Sequence, residues 1–399
     1  MREGKTKNMN VKQIYALVNT AVKATIGQTA VVAEDLSNLV DVGTAIFNAN
    51  AVDNYARTLV DAIGKVIFVN RKYEGFAPKV LMDSWEYGSV VEKIRAVSPE
   101  ATENPTWNLQ DGQTYDQDKF TAPQIVVKFF NSKTTLEVPV SITRNQIKES
   151  FTSPEKANGL IELIYTTMEN GMVEKLDALT QRLIVNMMGE TIKADYGTAK
   201  LGSKSGIKAV NLLKMYNDAT SAGLTTAKAL FNKEFLQYAS YIIGMYLKRM
   251  TKMSKLFNVE GVKKFTPRDL LHVVMLSDFA KASDTFLGSN TFHNELVALP
   301  QYEEVPYWQG TGTSYTENAS IKVAKLASDP TKSVEVTGKV LGCMFDRDAL
   351  GITNYDKRVP SHPNDHAEFW NLWYKQDASF FNDLAENFVV FFIQDPEAA

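Results

Sequence analysis

The chain has 399 residues, with 43 lysines and arginines against 46 aspartates and glutamates, and a formal net charge of -3. This balance excludes a global positive field that would hold nucleic acid by counterion release. One cysteine excludes an internal disulfide framework and a cysteine-cluster metal site, and the longest apolar runs, 66–69 and 388–393, are far too short to span a membrane. The first residues carry no apolar run before a cleavage site and so do not form a secretory signal. We expect a soluble protein of two or three domains.

The N-terminal part of the chain predicts an arm followed by a short helix. Residues 1–50 alternate short amphipathic pieces with Ala, Asn and Thr, which predicts an extended arm without the density of a core. Residues 49–63 predict a helix that ends at Gly64, and the β-branched residues of 65–70 predict a strand.

A long β-hairpin is predicted next. Residues 80–85 and 89–97 have the pattern of one arm, and residues 125–138 have the pattern of the return. The intervening residues 98–123 are too polar to bury themselves, and loops of more than about 15 residues commonly serve binding or disorder. We therefore expect this arm to project and contact another chain, although a lone aromatic at such a tip is almost as often incidental. The candidate inter-subunit contacts are Trp107, Tyr115 and Phe120.

An uninterrupted apolar stripe predicts one long helix over residues 154–189. Ser153 is suited to the N-cap, Pro154 to the first helical position, and Gly189 to a stop. Gly171 interrupts good helix formers, which makes it a candidate hinge. The stripe consists of Leu160, Ile164, Met168, Met172, Leu176, Leu179, Leu183 and Met187.

Residues 200 to about 345 predict a compact mixed domain, and the rest of the chain is rich in aromatics. Helices are predicted over 206–220 and 232–256, followed by a buried strand over 271–276 and a short helix after Ser277. The further predicted strands are 296–299, 320–326, 334–345 and 388–393.

No motif for catalysis or metal binding is complete. Cys343 lies in an apolar strand and predicts a buried small side chain rather than a nucleophile. His362 and His366 have the i, i+4 spacing of a metal pair, but Pro363 disfavours a helix there and the remaining ligands are missing. Asp346 is more typical of a strand end than of a cation site. We predict no catalytic, cofactor-binding or metal residues, and no cofactor.

Nine aromatics crowd residues 369–392, with Lys375 as the only basic residue among them. Proteins that bind single-stranded nucleic acid also align aromatics, but they interleave them with arginine and lysine. We therefore interpret this segment as protein core or subunit contact.

The order of these elements resembles the major capsid protein of tailed bacteriophages. Residues 51–66 are similar to the entry into the hairpin in coat proteins of small short-tailed phages of Gram-positive hosts. Residues 342–350 are similar to the strand and turn that return the chain to the peripheral domain, and residues 369–390 to the aromatic finish.

The resemblance implies the α+β coat fold of the Hong Kong 97 type. Its parts here are an N-terminal arm (1–50), an extended β-hairpin loop (71–139), a peripheral domain (51–70, 140–199 and 346–399) that contains the spine helix (154–189), and a central axial domain (200–345).

The resemblance implies a structural, non-enzymatic subunit. It would form pentamers and hexamers in an icosahedral head, assembled in the host cytoplasm, and would enclose double-stranded DNA non-specifically beside a portal protein, without membrane contact. The chain shows no long charged coiled-coil extension, so a separate scaffolding protein is expected. A nanocompartment (encapsulin-like) shell protein and a soluble metal-dependent hydrolase are the alternatives.

Overall fold

The computed structural model describes a defined set of residues, and every structural statement below concerns these alone. They are 11–27, 32–33, 37–48, 51–52, 54–55, 58–59, 81–82, 91–97, 101, 103, 107–114, 122, 124–152, 154–288, 301–308, 319–364 and 366–396. Within these ranges, helices and strands are interspersed along the chain, which confirms the predicted α+β class. None of the helices described combines the length and apolar character needed to cross a bilayer.

The helices and strands lie as follows. The helices are α1 (Val11–Ile26), α2 (Leu39–Asn48), α3 (Arg144–Ser150), α4 (Pro154–Tyr196), α5 (Leu212–Thr220), α6 (Thr226–Ala229), α7 (Lys233–Met250) and α8 (Ser277–Gly288). The strands are β1 (Leu81–Met82), β2 (Val91–Ala96), β3 (Ile125–Phe130), β4 (Lys133–Thr143), β5 (Ala209–Asn211), β6 (Leu271–Leu276), β7 (Glu303–Val305), β8 (Ile321–Val323), β9 (Val334–Val336), β10 (Lys339–Asp346), β11 (Leu350–Arg358), β12 (Ser361–Asn364), β13 (Phe369–Asn382) and β14 (Phe388–Ile393).

The first five-stranded sheet is built around β13, which pairs with β11, β12 and β4. Trp370, Leu372 and Tyr374 alternate along β13 and are buried in one core cluster, whereas their neighbours are half-buried. This alternation is the pattern of a sheet with one face on the core. The opposing side of that cluster is the first half of α4.

The second five-stranded sheet has the order β5-β14-β10-β6-β7 and is buried on both faces. Phe388, Val390 and Phe392 belong to the cluster that contains the second half of α4. Val389, Phe391 and Ile393 belong to the cluster that contains α5 and α7. Because both faces are covered, β14 is apolar at every position instead of alternating.

The long helix α4 connects the two cores, and its predicted stripe is confirmed. Ile164, Met168, Met172 and Leu176 are buried in the first cluster, and Leu179, Leu183 and Met187 are buried in the second. Leu160 is half-buried beside the first cluster.

The predicted end of this helix at Gly189 is wrong. A Cβ at Gly189 would lie 2.8 Å from Cγ2 of Val323, so this glycine allows β8 to pack closely against the helix. The helix ends at Tyr196, and Gly197 follows in the left-handed conformation with φ +59°. The Gly197 amide donates to the Lys193 carbonyl, which is how a glycine commonly closes a helix.

The prediction of an extended N-terminal arm without core density is wrong for the described residues. Val18, Val22, Leu39 and Ile46 are buried in the cluster that contains the first half of α4. The sequence pattern missed this because each helix is short and becomes stable only when its apolar face packs on a larger element. Of the predicted helix over 49–63, the described residues 52, 54, 55, 58 and 59 are helical. The strand predicted over 65–70 lies outside the described residues.

The strand pairing differs from the predicted pattern in three places. β1 pairs with β11 in parallel rather than extending the hairpin. The return strand divides into β3, which pairs with β2, and β4, which pairs with β13, so residues 133–139 lie in the first sheet rather than in the hairpin. β14 pairs with β10 and β5, so the aromatic finish is divided between β13 in the first sheet and β14 in the second.

The domain over 200–345 contains further differences. The helix predicted over 206–220 begins only at Leu212, because residues 209–211 form an edge strand against β14. The helix predicted over 232–256 ends at Met250. The strand predicted over 334–345 divides around Gly338, where a Cβ would lie 2.0 Å from the Ile393 carbonyl oxygen. The strands over 271–276 and 388–393 are confirmed, and the strand over 296–299 lies outside the described residues.

Candidate interaction surfaces

Trp107 and Gly171 are the two predicted site residues that the structure describes. Trp107 has 98% of its surface exposed. Gly171 lies inside the continuous helix α4, where a Cβ would lie 3.2 Å from both Cγ atoms of Val138 on β4. Tyr115 and Phe120 lie outside the described residues. Trp107 is therefore open to solvent, whereas Gly171 packs against the first sheet.

The hairpin formed by β2 and β3 has two chemically different faces. Lys93 is directly opposite Lys128 on the adjacent strand, and both side chains point towards the turn between β13 and β14 of their own chain. The opposite face is exposed and mainly apolar, with Glu92 opposite Phe129 as its one charged side chain. Its large apolar members are Ile94 (65% exposed), Ile125 (63%), Val127 (42%) and Phe129 (65%).

The inner face of the hairpin is held by an ion-pair cluster, which consists of Lys93, Lys128, Lys264, Glu260, Asp383 and Glu386. Lys93 and Lys128 each place Nζ 2.9 Å from one carboxylate oxygen of Asp383. Lys128 also pairs with Glu260, and Glu386 accepts from both Lys93 and Lys264. The side chains of Asp383 and Glu386 are 2% and 3% exposed.

Asp383 and Glu386 occupy the turn between β13 and β14. The Ala385 amide donates to Asp383 Oδ1 at 3.1 Å, and the Asp383 amide donates to the Ala349 carbonyl at 2.7 Å. Lys93 Nζ also donates to the Asp348 carbonyl at 3.0 Å. The hairpin is therefore fixed at the junction of the two sheets.

The ion pairs change the pKa values of their members. Burial alone would raise the pKa of Asp383, but hydrogen bonds from Lys128 and Lys93, with the charge of Lys93, outweigh it and lower the pKa to about 2. Burial would lower the pKa of Lys93, but its contacts with Glu386 and Asp383 raise it. Both shifts favour the charged forms, so Lys93 and Asp383 are ionised at neutral pH.

Sequence reasoning missed this cluster. Lys93 and Lys128 are directly opposite each other on adjacent strands, an arrangement that is destabilising without an anionic partner. That signal depends on the register of β2 against β3, which the sequence pattern did not define. Asp383 and Glu386 are more than 250 residues away along the chain.

The residues examined for other chemistry occupy ordinary structural positions. Cys343 is buried, and burial raises the pKa of its thiol. Asp346 closes a turn by accepting from the Thr266 hydroxyl at 2.7 Å and the Asp348 amide at 3.0 Å, and burial raises the pKa of its carboxyl. His362 lies on β12 and His366 in the following turn, and both are exposed. In the described part of the chain, no three His, Cys, Asp or Glu side chains are grouped to hold a metal ion.

The aromatic segment is largely protein core, as predicted. Trp370, Tyr374, Phe388, Phe391 and Phe392 are at most 6% exposed. Phe391 makes an edge-on contact with Tyr246 at a ring-centroid distance of 5.4 Å. These rings are therefore inaccessible to nucleic-acid bases.

Comparison with known proteins gives one family match and several similar solved structures. The model of the family described as "Phi29-like phage major capsid protein" matches residues 16–392. No curated protein matches the chain by sequence.

The similar solved structures come from phage particles. The capsid of Staphylococcus phage Andhra has 9% identity and a TM-score of 0.47, over 79% of this chain and 83% of that chain. A chain from the structure of the head fiber and inner core protein of bacteriophage P68 has 10% identity and a TM-score of 0.48, over 82% and 86%. The mature capsid of bacteriophage PhiM1 has 11% identity and a TM-score of 0.43, over 82% and 89%.

Proposed function

Because this chain belongs to the Phi29-like phage major capsid protein family, and so is a subunit of a phage capsid, we propose that it assembles into pentamers and hexamers that close an icosahedral head around double-stranded DNA. The prediction of a tailed-phage major capsid protein with an α+β coat fold of the Hong Kong 97 type is confirmed. Neither the nanocompartment shell nor the metal-dependent hydrolase is favoured by this family. The similarity to phages of Gram-positive hosts stays a prediction.

The observation that best supports the assembly is the exposed apolar face of the hairpin. Ile94, Ile125, Val127 and Phe129 lie on one side of a two-stranded ribbon whose other side is charged and held by its own chain. Burying one such side chain fully contributes about 1.5–3 kcal/mol. In the assembly, the apolar face of the hairpin packs on a neighbouring subunit. This contact buries a surface that is exposed to solvent in the single chain.

The proposal includes other components of the head. A separate scaffolding protein directs assembly in the host cytoplasm, and a portal protein occupies one vertex. DNA is held by enclosed volume and weak electrostatics, which agrees with a net charge of -3. We assign no catalytic activity and no membrane contact to the subunit.

Assembly is tested by negative-stain electron microscopy and sedimentation of the purified protein, with and without co-expressed scaffolding protein. We expect closed shells or large capsomer rings. A monomer or dimer under both conditions would contradict the proposal.

Gly171 is proposed as a hinge of the spine helix α4 during shell expansion. The Gly171→Ala substitution should stabilise the helical conformation at this position by about 1 kcal/mol. A helix that bends less readily should alter assembly or expansion. Gly159→Ala is the matched control, because it lies in the same helix and its Cβ would meet no atom within 4 Å.

A Cβ at position 171 would also lie 3.2 Å from both Cγ atoms of Val138, which is a tight contact. The double variant Gly171→Ala with Val138→Ala removes this contact but keeps the more stable helix, so it distinguishes the effect of helix stability from that of the steric contact. Particle size before and after expansion is measured by cryo-electron microscopy. Unchanged particles from Gly171→Ala would refute the hinge.

A further inference from the structure

A small cavity lies between the inner face of the hairpin and the turn that joins β13 to β14. Its volume is about 10 Å³, which is close to the space that one water-sized sphere occupies. Both strands of the hairpin and part of the ion-pair cluster contribute to its walls. The lining residues are Lys93, Arg95, Val126, Lys128, Asp383 and Glu386.

Arg95 is the charged residue of this lining that does not belong to the ion-pair cluster. It follows Lys93 by two positions on β2 and therefore lies on the same face, opposite Val126 of β3. Its Nε is buried and has no hydrogen-bond partner among the described residues. None of the ion pairs between described residues includes Arg95. A buried donor that lacks an acceptor destabilises the fold, so this position favours an acceptor.

The nearby carboxylate of Asp383 is already engaged by other donors. Its Oδ1 accepts from Lys128 Nζ at 2.9 Å and from the Ala385 amide at 3.1 Å. Its Oδ2 lies 2.9 Å from Lys93 Nζ. The carboxylate is thus held by two lysines and does not serve as the acceptor for Arg95.

The formal charges around the cavity do not balance. Glu386 accepts from both Lys93 and Lys264, which completes an ion-pair cluster of three lysines and three carboxylates. The guanidinium of Arg95 adds one further positive charge to the wall of the cavity. The site therefore combines an unpaired donor with one uncompensated positive charge.

We propose that a small monovalent anion of the halide class binds in this cavity beside Arg95 Nε. A bound chloride accepts the hydrogen bond from Nε and offsets the charge of the guanidinium. Because the cavity is walled by both hairpin strands and by the turn between β13 and β14, the bound anion stabilises the hairpin at the junction of the two sheets. Every residue of the site belongs to one chain, so the inference goes beyond the proposed shell function and does not depend on it.

A halide fits the cavity better than water or a larger anion does. A water molecule can accept from Nε, but it leaves the positive charge uncompensated, and a buried charge without a partner is costly. Phosphate and sulfate are larger than one water-sized sphere and exceed a cavity of about 10 Å³.

The site predicts that stability depends on the identity of the anion, which screening by salt does not produce. Screening is set by ionic strength, whichever monovalent salt supplies it. Replacing gluconate, which is too large for the cavity, with chloride at constant ionic strength should raise the Tm by about 2 °C. Thermal unfolding of the purified protein, followed by circular dichroism, measures this rise. It should saturate in the millimolar range, because one unpaired charge near a protein surface corresponds to a dissociation constant of about 1 mM.

Two variants remove the site in different ways. Arg95→Met removes both the donor and the positive charge, whereas Val126→Leu keeps every charge and fills the cavity with a larger side chain. Both should abolish the rise in Tm with chloride. Should Arg95→Met fail to fold, Val126→Leu alone decides the test.

Arg144→Met is the matched control for the loss of an arginine. Arg144 pairs with Glu368 at 3.7 Å, beside the start of β13, and the cavity lies beyond the end of this strand. The 14 residues of β13 separate the two places by about 45 Å. The control variant should therefore keep the full rise in Tm with chloride, which also corrects for general effects of anions on the protein surface.

Chloride NMR provides a direct measurement of binding. We expect the unmodified protein to broaden the chloride signal, bromide to reverse the broadening by competition, and Arg95→Met to reduce it at least severalfold. Arg144→Met should broaden the signal as much as the unmodified protein does.

Two outcomes would overturn the anion site. A Tm that depends on ionic strength alone, without chloride broadening, would leave the cavity to a water molecule. A chloride-dependent rise that persists in both Arg95→Met and Val126→Leu would place the anion elsewhere on the protein. Neither outcome bears on shell assembly, which electron microscopy of the unmodified protein tests separately.

Discussion

The hairpin and the strand β14 are both β structure, but they are stabilised in opposite ways. All six residues of β14 are buried, three in the cluster with α4 and three in the cluster with α5 and α7. In the hairpin, large apolar side chains face water and lysines face the protein. β14 is thus stabilised by its own chain, whereas the hairpin leaves its apolar surface for another chain.

This difference affects how firmly each region is fixed. Close packing around β14 penalises small displacements, because interiors are packed as densely as organic crystals. Ion pairs depend less on shape and are weakened by salt. The hairpin is therefore the region whose position relative to the two sheets responds to solution conditions and to neighbours.

The largest effect on the free energy of unfolding is expected from a substitution in β14. Phe391→Ala removes a fully buried ring that contacts Tyr246, and we expect the free energy of unfolding to fall by about 3–5 kcal/mol. Urea denaturation of the unassembled subunit, followed by circular dichroism, measures it. A loss below about 1 kcal/mol would mean that β14 is not held by close packing more firmly than the hairpin is held by its ion pairs.

An intermediate effect is expected in the ion-pair cluster. The pKa of Asp383 is lowered to about 2 from its ordinary value of 3.8. A lowered folded pKa contributes stability above the unfolded pKa, and this contribution is lost as the pH falls towards the folded pKa. Asp383→Asn should therefore cost about 2 kcal/mol at neutral pH and flatten the decline of stability between about pH 4 and pH 2. A variant that declines as steeply as the unmodified protein would refute this role of Asp383.

The smallest effect on stability is expected on the outer face of the hairpin. Phe129→Ala removes an exposed ring, so the free energy of unfolding of the subunit should change by less than about 0.5 kcal/mol. Assembly should nevertheless fall, because the same ring is proposed to be buried between subunits. Urea denaturation and sedimentation measure the two quantities, and a subunit with unchanged assembly would contradict the lapping of the hairpin.

Local patterns predicted the elements that depend on near neighbours in sequence. The stripe of α4, the start at Pro154 and the strands over 271–276 and 388–393 are confirmed. The candidate site was predicted only in part. Trp107 was selected from its polar surroundings, but the ion-pair cluster at Asp383 depends on strand register and was missed.

The sequence by itself determined the apolar periodicity of the long helix and the strand patterns. It also determined the buried aromatic finish and the order of elements that led to the capsid family. All of these depend on residues a few positions apart. The tertiary structure alone decided that α1 and α2 share a core with the first half of α4, that β14 joins the second sheet, and that Gly189 lies against Val323 rather than at a helix end. It also decided which face of the hairpin is charged inward. These features depend on contacts between distant segments, whose partners no local pattern specifies.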